Sequence, residues 1–218
     1  MRMSPDERRE QLLGFAIKVF AEHGLVASNH AMVAAAAKVS VPTVFFYFKT
    51  REALLDAVLN ELERFYASKY APSPAESELP AVETLMLISK RMTGTLETHP
   101  DYARIMAEWG VSVRSDIWPR YLRLYRKMNR MMAKVIERGQ REGTFRPDLD
   151  PEDEAAILHA SSSALIQMME TGASAERLDK FQRTMIQSVL VQIPPAPTTS
   201  GRTAARKGVI KQGTTTRA

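Results

Sequence analysis

The sequence predicts an all-α protein on three observations. Apolar residues recur at three- and four-residue spacing along most of the chain, strand-like alternation is scarce, and the breaks between apolar stripes carry helix caps, prolines and glycines. With 218 residues, 44% hydrophobic and 25% charged, the chain can bury one sizeable core and a smaller second one. Zero cysteines exclude disulfides, thiolate metal sites and thiol catalysis, and suit a reducing interior. No apolar run approaches the roughly 18 residues a membrane span needs, and "MRMSPDERREQ" lacks the apolar segment of a signal peptide. A cytoplasmic protein with no membrane role is expected.

The first helix is introduced by Ser4-Pro5-Asp6-Glu7, carries the stripe Leu12, Phe15, Ala16, Val19 and Phe20, and stops at Gly24. A short second helix fits His30 to Lys38, capped by Ser28 or Asn29. Ser40 caps a third, with Pro42 in its first turn, and Thr50 caps a fourth running from Arg51 towards Tyr70. "APSPAESELP", residues 71–80, reads as a patternless connector. Further helices are expected near 80–98, 101–114, 117–142, 151–171 and 174–193, broken at His99-Pro100, "GTFRPDLDP" and Thr171-Gly172. The organisation is thus a helix-turn-helix domain at 1–50, a larger helical domain at 51–193 joined through helix 51–70, and a basic disordered tail at 194–218.

The formal charge of +5 resides in that tail, where Arg202, Arg206, Lys207, Lys211 and Arg217 meet no acid, so the remainder is formally neutral. Local distribution must therefore carry any argument about partners. Residues 1–51 hold seven Lys/Arg against four acids, a mild basic excess.

"VPTVFFYFKTRE", Val41–Glu52, places Phe45, Phe46, Tyr47 and Phe48 in succession. On a helix, Val41, Val44, Phe45 and Phe48 share one face, which leaves Pro42, Thr43, Phe46 and Tyr47 on the other. Two short helices separated by "KVS", the second with a buried stripe and an outward face, have the geometry of a helix-turn-helix. Thr43, Phe46 and Tyr47 then face a major groove, where hydroxyls bond phosphates or bases and a ring packs on thymine methyls. Lys49 and the N-terminus of the following helix add phosphate contacts, and Ser28, Asn29, His30, Ser40 and Pro42 are expected to complete the DNA-binding set. The same spacing also admits a cluster in which all four rings are core.

Residues 5–70 resemble the DNA-binding domain of the TetR family of transcriptional regulators. The resemblance rests on Phe20 to Gly24, Val39-Ser40, Thr43-Val44-Phe45-Phe46-Tyr47-Phe48, Thr50-Arg51-Glu52 and Leu54. "VSVPTVFFYFKTREALLDAVLN", "AEWGVSVRSDIWP", "VIERGQREG" and "DPEDEAAILHASSSALI" are similar to the quorum-sensing master regulators of the HapR and SmcR type. The resemblance implies a homodimer on a pseudo-palindromic double-stranded DNA operator, with a C-terminal domain that dimerises and usually holds a ligand. It makes Thr43 and Tyr47 phosphate contacts, with Lys49 adding to them. Two departures stand out. Phe46 replaces a polar Asn, which would make readout there apolar, and the basic N-terminal arm is reduced to little beyond Arg2.

In the second domain, Ala160, Ser163, Ala164 and Gln167 at helical spacing form the candidate dimer surface, since small residues permit close helix approach. The alternative is a helix packed within its own chain. Met86, Met92, Met106, Met128, Met131, Met132, Met168 and Met169 give an adaptable interior that Trp109 and Trp118 could wall, although such stripes also serve as plain core. By resemblance, Tyr66, Met106, Trp109, Leu158 and Ser162 match the pocket walls of the HapR-like proteins. With no buried charge cluster evident, an apolar small-molecule ligand is expected.

Catalytic signatures are lacking. His23, His30, His99 and His159 are scattered, no glycine loop or G-x-S-x-G elbow occurs, and Ser161 to Ser163 suit packing. Glu108 is the only acid of the second domain singled out, and it lacks a partner. No enzyme, cofactor or metal is expected. The competing class is a helical small-molecule-binding protein without a DNA role, or a helical lid-type enzyme.

Overall fold

The computed structural model describes residues 3–113 and 115–190, and the expected tail at 194–218 and Arg2 lie outside them. Ten helices occur among the described residues: α1 (Pro5–Ala27), α2 (His30–Ala37), α3 (Val41–Tyr47), α4 (Arg51–Tyr70), α5 (Pro74–Ser77), α6 (Ala81–Thr98), α7 (Pro100–Val111), α8 (Trp118–Arg141), α9 (Pro151–Glu170) and α10 (Ala175–Val189). The one-turn α5 falls in the segment expected to be patternless. It forms because Ser73 accepts from the Glu76 amide while the Glu76 carboxylate accepts from the Ser73 amide, a reciprocal cap at 3.3 and 2.8 Å.

The helix starts follow local chemistry. Ser4 and Glu7 form the same reciprocal cap on α1, and that engagement holds the Glu7 carboxyl below the usual carboxylate range. Asn29, rather than Ser28, caps α2 by accepting from the Ala31 and Met32 amides at 3.0 and 3.2 Å. Ser40 and Thr50 cap α3 and α4. The helical run of α1 is broken at Gly24, where φ of +86° turns the chain before Leu25.

Helices α1 to α3 pack into a small head through Leu12, Ala16, Phe20, Val33, Val44 and Phe48. α4 continues from the head into the larger bundle of α6 to α10, burying Leu54, Val58, Leu59, Leu62 and Tyr66 along its length. On the body side, α8 inserts Tyr121, Leu124, Met128, Met132, Val135 and Ile136. Arg120 of α8 reaches α4, donating to Glu63 at 2.6 Å, Asn60 at 2.6 Å and Asp56 at 3.1 Å.

One close approach closes the bundle: Phe145, fully buried, lies against Gly139 so tightly that a Cβ there would fall 2.1 Å from its ring. Gly139→Ala should therefore lower stability by about 1–3 kcal/mol, despite the better helix propensity of alanine. Gly14→Ala on α1, with nothing within 4 Å, should raise stability by up to about 1 kcal/mol. Urea denaturation of both variants checks the pair.

Candidate nucleic-acid interface and cavity

Helices α2 and α3 meet across a bend of 111°, within the range of helix-turn-helix pairs. The break is made by Lys38 in the left-handed region (φ 55°), and Ser40 then restarts the chain as a helix. α3 is fastened from below by Val44 and Phe48, both essentially inaccessible. Phe48 terminates the helix in an extended conformation (φ −131°, ψ 96°), and its carbonyl accepts from His30 Nε2 at 2.7 Å.

The expected division of the four rings is corrected by this geometry. Phe45 is 44% exposed instead of buried, Phe46 is 66% exposed, Tyr47 is half-buried and only Phe48 is core. Because Phe48 lies past the helical register, the buried stripe narrows to Val44 and Phe48. Phe45 slides to its flank, stacked flat on the His30 imidazole at 3.9 Å and 4°. Val41, also expected inside, is 37% exposed.

Pro42, Phe46, Lys49, Ser40 and Asn29 are exposed and Thr43 is half-buried, its hydroxyl 2.7 Å from that of Ser40. Lys49 Nζ sits 5.1 Å over the Phe46 ring, a cation held beside an outward aromatic. Ser28 and His30 do not join this surface with their side chains. Ser28 is inaccessible and donates to Gly24 O at 2.7 Å, while His30 is spent on Phe48 and Phe45.

The head is tied to the body around Gly24. Leu25 N donates to the Glu108 carboxylate of α7 at 2.9 Å, a charge-assisted bond, so the acid singled out in the sequence closes the junction. Arg51, first residue of α4, donates to the carbonyls of Leu25, Val26 and Ser28.

Within the body lies a cavity of about 120 Å³ between α4, α6, α7, α8, α9 and α10. Tyr66, Met106 and Ser162 line it as expected. Leu158 lines a smaller adjoining space of about 30 Å³ that shares Tyr70, Met92 and His159 with the first. Trp109 is a correction: it is fully buried, donates from Nε1 to Ile117 O at 3.1 Å and lines neither space. Trp118 instead stacks on Tyr121 at 5.0 Å, and Met86 is exposed.

Sequence reasoning missed Tyr70, Tyr121 and His159 as lining residues. The Tyr70 hydroxyl and His159 Nδ1 lie 3.2 Å apart, and Tyr125 meets the imidazole edge-on at 4.8 Å. Burial lowers the His159 pKa from 6.5 to about 4, and burial likewise raises Tyr66, Tyr70 and Tyr121. No Asp, Glu, Lys or Arg occurs among the described lining residues.

On α9, Ala160, Ser163 and Gln167 are exposed and Ala164 is half-buried, flanked by Ile157 at 56% exposure.

A helix-turn-helix head carried on a helical body with an apolar cavity defines a class of regulatory DNA-binding proteins. Residues 12–58 match the model of bacterial regulatory proteins of the tetR family, and residues 119–185 match the tetracyclin repressor-like C-terminal domain. The HTH-type transcriptional regulator LuxR of Vibrio harveyi is 35% identical over 143 residues, covering 64% of this chain and 69% of that protein. Among solved structures, a transcriptional regulator from Saccharomonospora viridis in complex with choline superposes with a TM-score of 0.74 at 19% identity, covering 86% and 100% of the two chains. The ketosteroid transcriptional regulator of Mycobacterium tuberculosis gives 0.69 at 20% identity, covering 85% and 96%. The chain belongs to the TetR family and is a TetR-type transcriptional regulator.

His159, half-buried in the cavity wall, sets a pH dependence. Its folded pKa lies below the unfolded value, so the unfolded chain binds more protons between pH 6.5 and about 4. Its contribution is fully present above pH 6.5 and is lost as pH falls towards 4. Urea midpoints should fall on acidification from pH 6.5 to 5, and His159→Gln should flatten that slope; an unchanged slope contradicts the assignment.

Proposed function

We propose that this regulator binds a pseudo-palindromic operator as a homodimer, with α3 of each protomer in a major groove, and that an apolar small molecule in the cavity controls it. The observation that carries the reading is the outward face of α3, where Phe46 and Lys49 stand exposed on a helix whose opposite edge is locked into the head. Exposing an aromatic ring to water has a cost that burial against DNA removes. Residues 1–50 serve as the reading head, with Thr43, Tyr47, Lys49, Ser40 and Asn29 directed to phosphates and Pro42 and Phe46 to base edges. The two recognition helices stand about one DNA turn apart, roughly 34–36 Å, in the binding-competent state.

Residues 51–193 serve as the dimerisation and ligand domain. Ile157, Ala160, Ser163, Ala164 and Gln167 of α9 form a face of small and apolar side chains suited to a four-helix bundle about a two-fold axis. Ligand control has a physical route, because α4 and α7 both line the cavity and both grip the chain near Gly24, through Arg51 and Glu108. A ligand that prefers one helix separation over the other shifts the equilibrium between them.

Tyr47→Ala and Lys49→Ala should weaken binding to all duplexes alike; loss of the Lys49 charge should make the log affinity against log salt slope shallower by about 0.9, whereas loss of the uncharged Tyr47 hydroxyl should leave the slope unchanged. Phe46→Asn should instead alter preference at one base pair, by about 1–3 kcal/mol. Fluorescence anisotropy on selected and scrambled duplexes separates the two behaviours, and unaffected binding in all three variants sinks the DNA assignment. Ala164→Arg should yield a monomer by light scattering; a dimer of unchanged mass rules out the α9 face.

A further inference from the structure

We propose that the outer face of α8 is a second, sequence-independent binding surface for duplex DNA, taking a segment other than the one held by α3. α8 carries Arg120, Arg123, Arg126, Lys127, Arg130, Lys134, Arg138 and Arg141 against the single acid Glu137, in a chain that is formally neutral up to residue 193. At about 100° per residue, Arg123, Arg126, Lys127, Arg130, Lys134 and Arg141 fall within an arc of about 100°; the exposed Glu137 enters the same arc, and the stretch from Arg123 to Lys134 before it holds no acid. All six are exposed. Arg120 and Arg138 lie at its margin and are used internally, on Asp56, Asn60 and Glu63, and on Thr84, Ser77 and Glu142 respectively.

None of the six arc cations forms an ion pair within 4.0 Å among the described residues. Asp56 and Glu63 border the groove beside Arg123 and Lys127 but are turned to Arg120. Glu152 and Asp153 border the other side, beside Arg126 and Arg130. The crest between these flanks is Arg123, Lys127, Arg130 and Lys134. Like charges at three- and four-residue spacing are unfavourable in an isolated helix, and solvated helix faces usually interleave signs. A polyanion removes that repulsion.

The polyanion is a phosphodiester chain, not a lipid surface. Membrane-surface helices insert an apolar face, and the apolar face of α8 is already buried in the body through Tyr121, Leu124, Met128, Met132, Val135 and Ile136. Arg123 to Lys134 spans about 16 Å, long enough to follow several phosphates of a duplex. The stripe also runs away from the head. Its start is held at Asp56, Asn60 and Glu63 of α4, and its end at Ser77 and Thr84, past the far end of α4. A straight duplex against α3 does not pass along it, so the DNA it holds is a second or bent segment.

The test uses the full chain in a Tyr47→Ala/Lys49→Ala background, with binding to a labelled random 30-base-pair duplex followed by anisotropy across a potassium chloride series. Adding Arg123→Gln, Lys127→Gln, Arg130→Gln and Lys134→Gln should weaken residual binding at least tenfold at low salt and make the log–log slope shallower by about three to four. Residues 194–218 are present in both proteins, so the difference belongs to α8. Arg123→Lys/Arg130→Lys keeps the charge and should keep the affinity. Equal affinity and slope with and without the four substitutions overturns the proposal, as does loss of binding in the Lys variant at unchanged melting temperature. Capture by phosphatidylglycerol vesicles with no dependence of duplex binding on the stripe also overturns it.

Discussion

A seven-residue helix is far shorter than the roughly 12–15 residues needed for marginal stability in water, so α3 exists because its neighbours hold it. Two buried side chains, Val44 and Phe48, supply most of that hold, each contributing roughly 1.5–3 kcal/mol by burial. Ser40 fixes where the helix starts, and the His30 bond to the Phe48 carbonyl fixes where it ends. With both ends and the inner edge determined, the outer edge has no freedom left: Phe46 must face outward with Lys49 beside it. The surface of the head is thus a consequence of how its underside packs.

The same economy governs the junction. Gly24 turns the chain at a positive φ, and the amide that follows meets Glu108 from a helix 83 residues later in the sequence. Arg51 gathers the carbonyls exposed by the same turn, so the kink is satisfied from the body on one side and from α4 on the other. α7 and α4 also wall the cavity, which makes the head and the cavity two ends of shared rigid elements. The described cavity lining holds no Asp, Glu, Lys or Arg, whereas the junction is closed by charged groups, Glu108 and Arg51.

Much of the fold was legible in the sequence because the punctuation is local. Ser4, Asn29, Ser40 and Thr50 each sit one residue before a helix, and the expected breaks coincide with the observed ones to within a few residues. Side-chain direction was less legible. Treating residues 41–48 as one continuous helix put Phe45 inside, but the chain leaves the helix at Phe48, and the buried stripe narrows to Val44 and Phe48 with Phe45 on its flank. Ser28 and His30 read as surface because they flank a cap, whereas their partners, Gly24 O and Phe48 O, come from turns that no periodicity locates. The cavity was half visible. Tyr66, Met106 and Ser162 carried a family resemblance, but Tyr121 lies between the similar stretches that end at Pro119 and resume at Val135, and His159 reads on its own as a scattered histidine. A large aromatic suits a cavity wall and a solid core equally well; Trp109 belongs to the core, fully buried, with Nε1 donating to Ile117 O, and lines neither space.

α3 offers Phe46 outward while Val44 stays locked within. The chain has no cysteine, so single thiols can be placed at will and their reactivity read without background. Maleimide labelling rates of the Phe46→Cys and Val44→Cys variants, measured with and without a bound duplex, test the claim most directly. Fast labelling at position 46 that is suppressed by DNA, with position 44 unreactive in both states, is the expected result. Slow labelling at 46 without DNA, or labelling that DNA leaves untouched, would contradict the account.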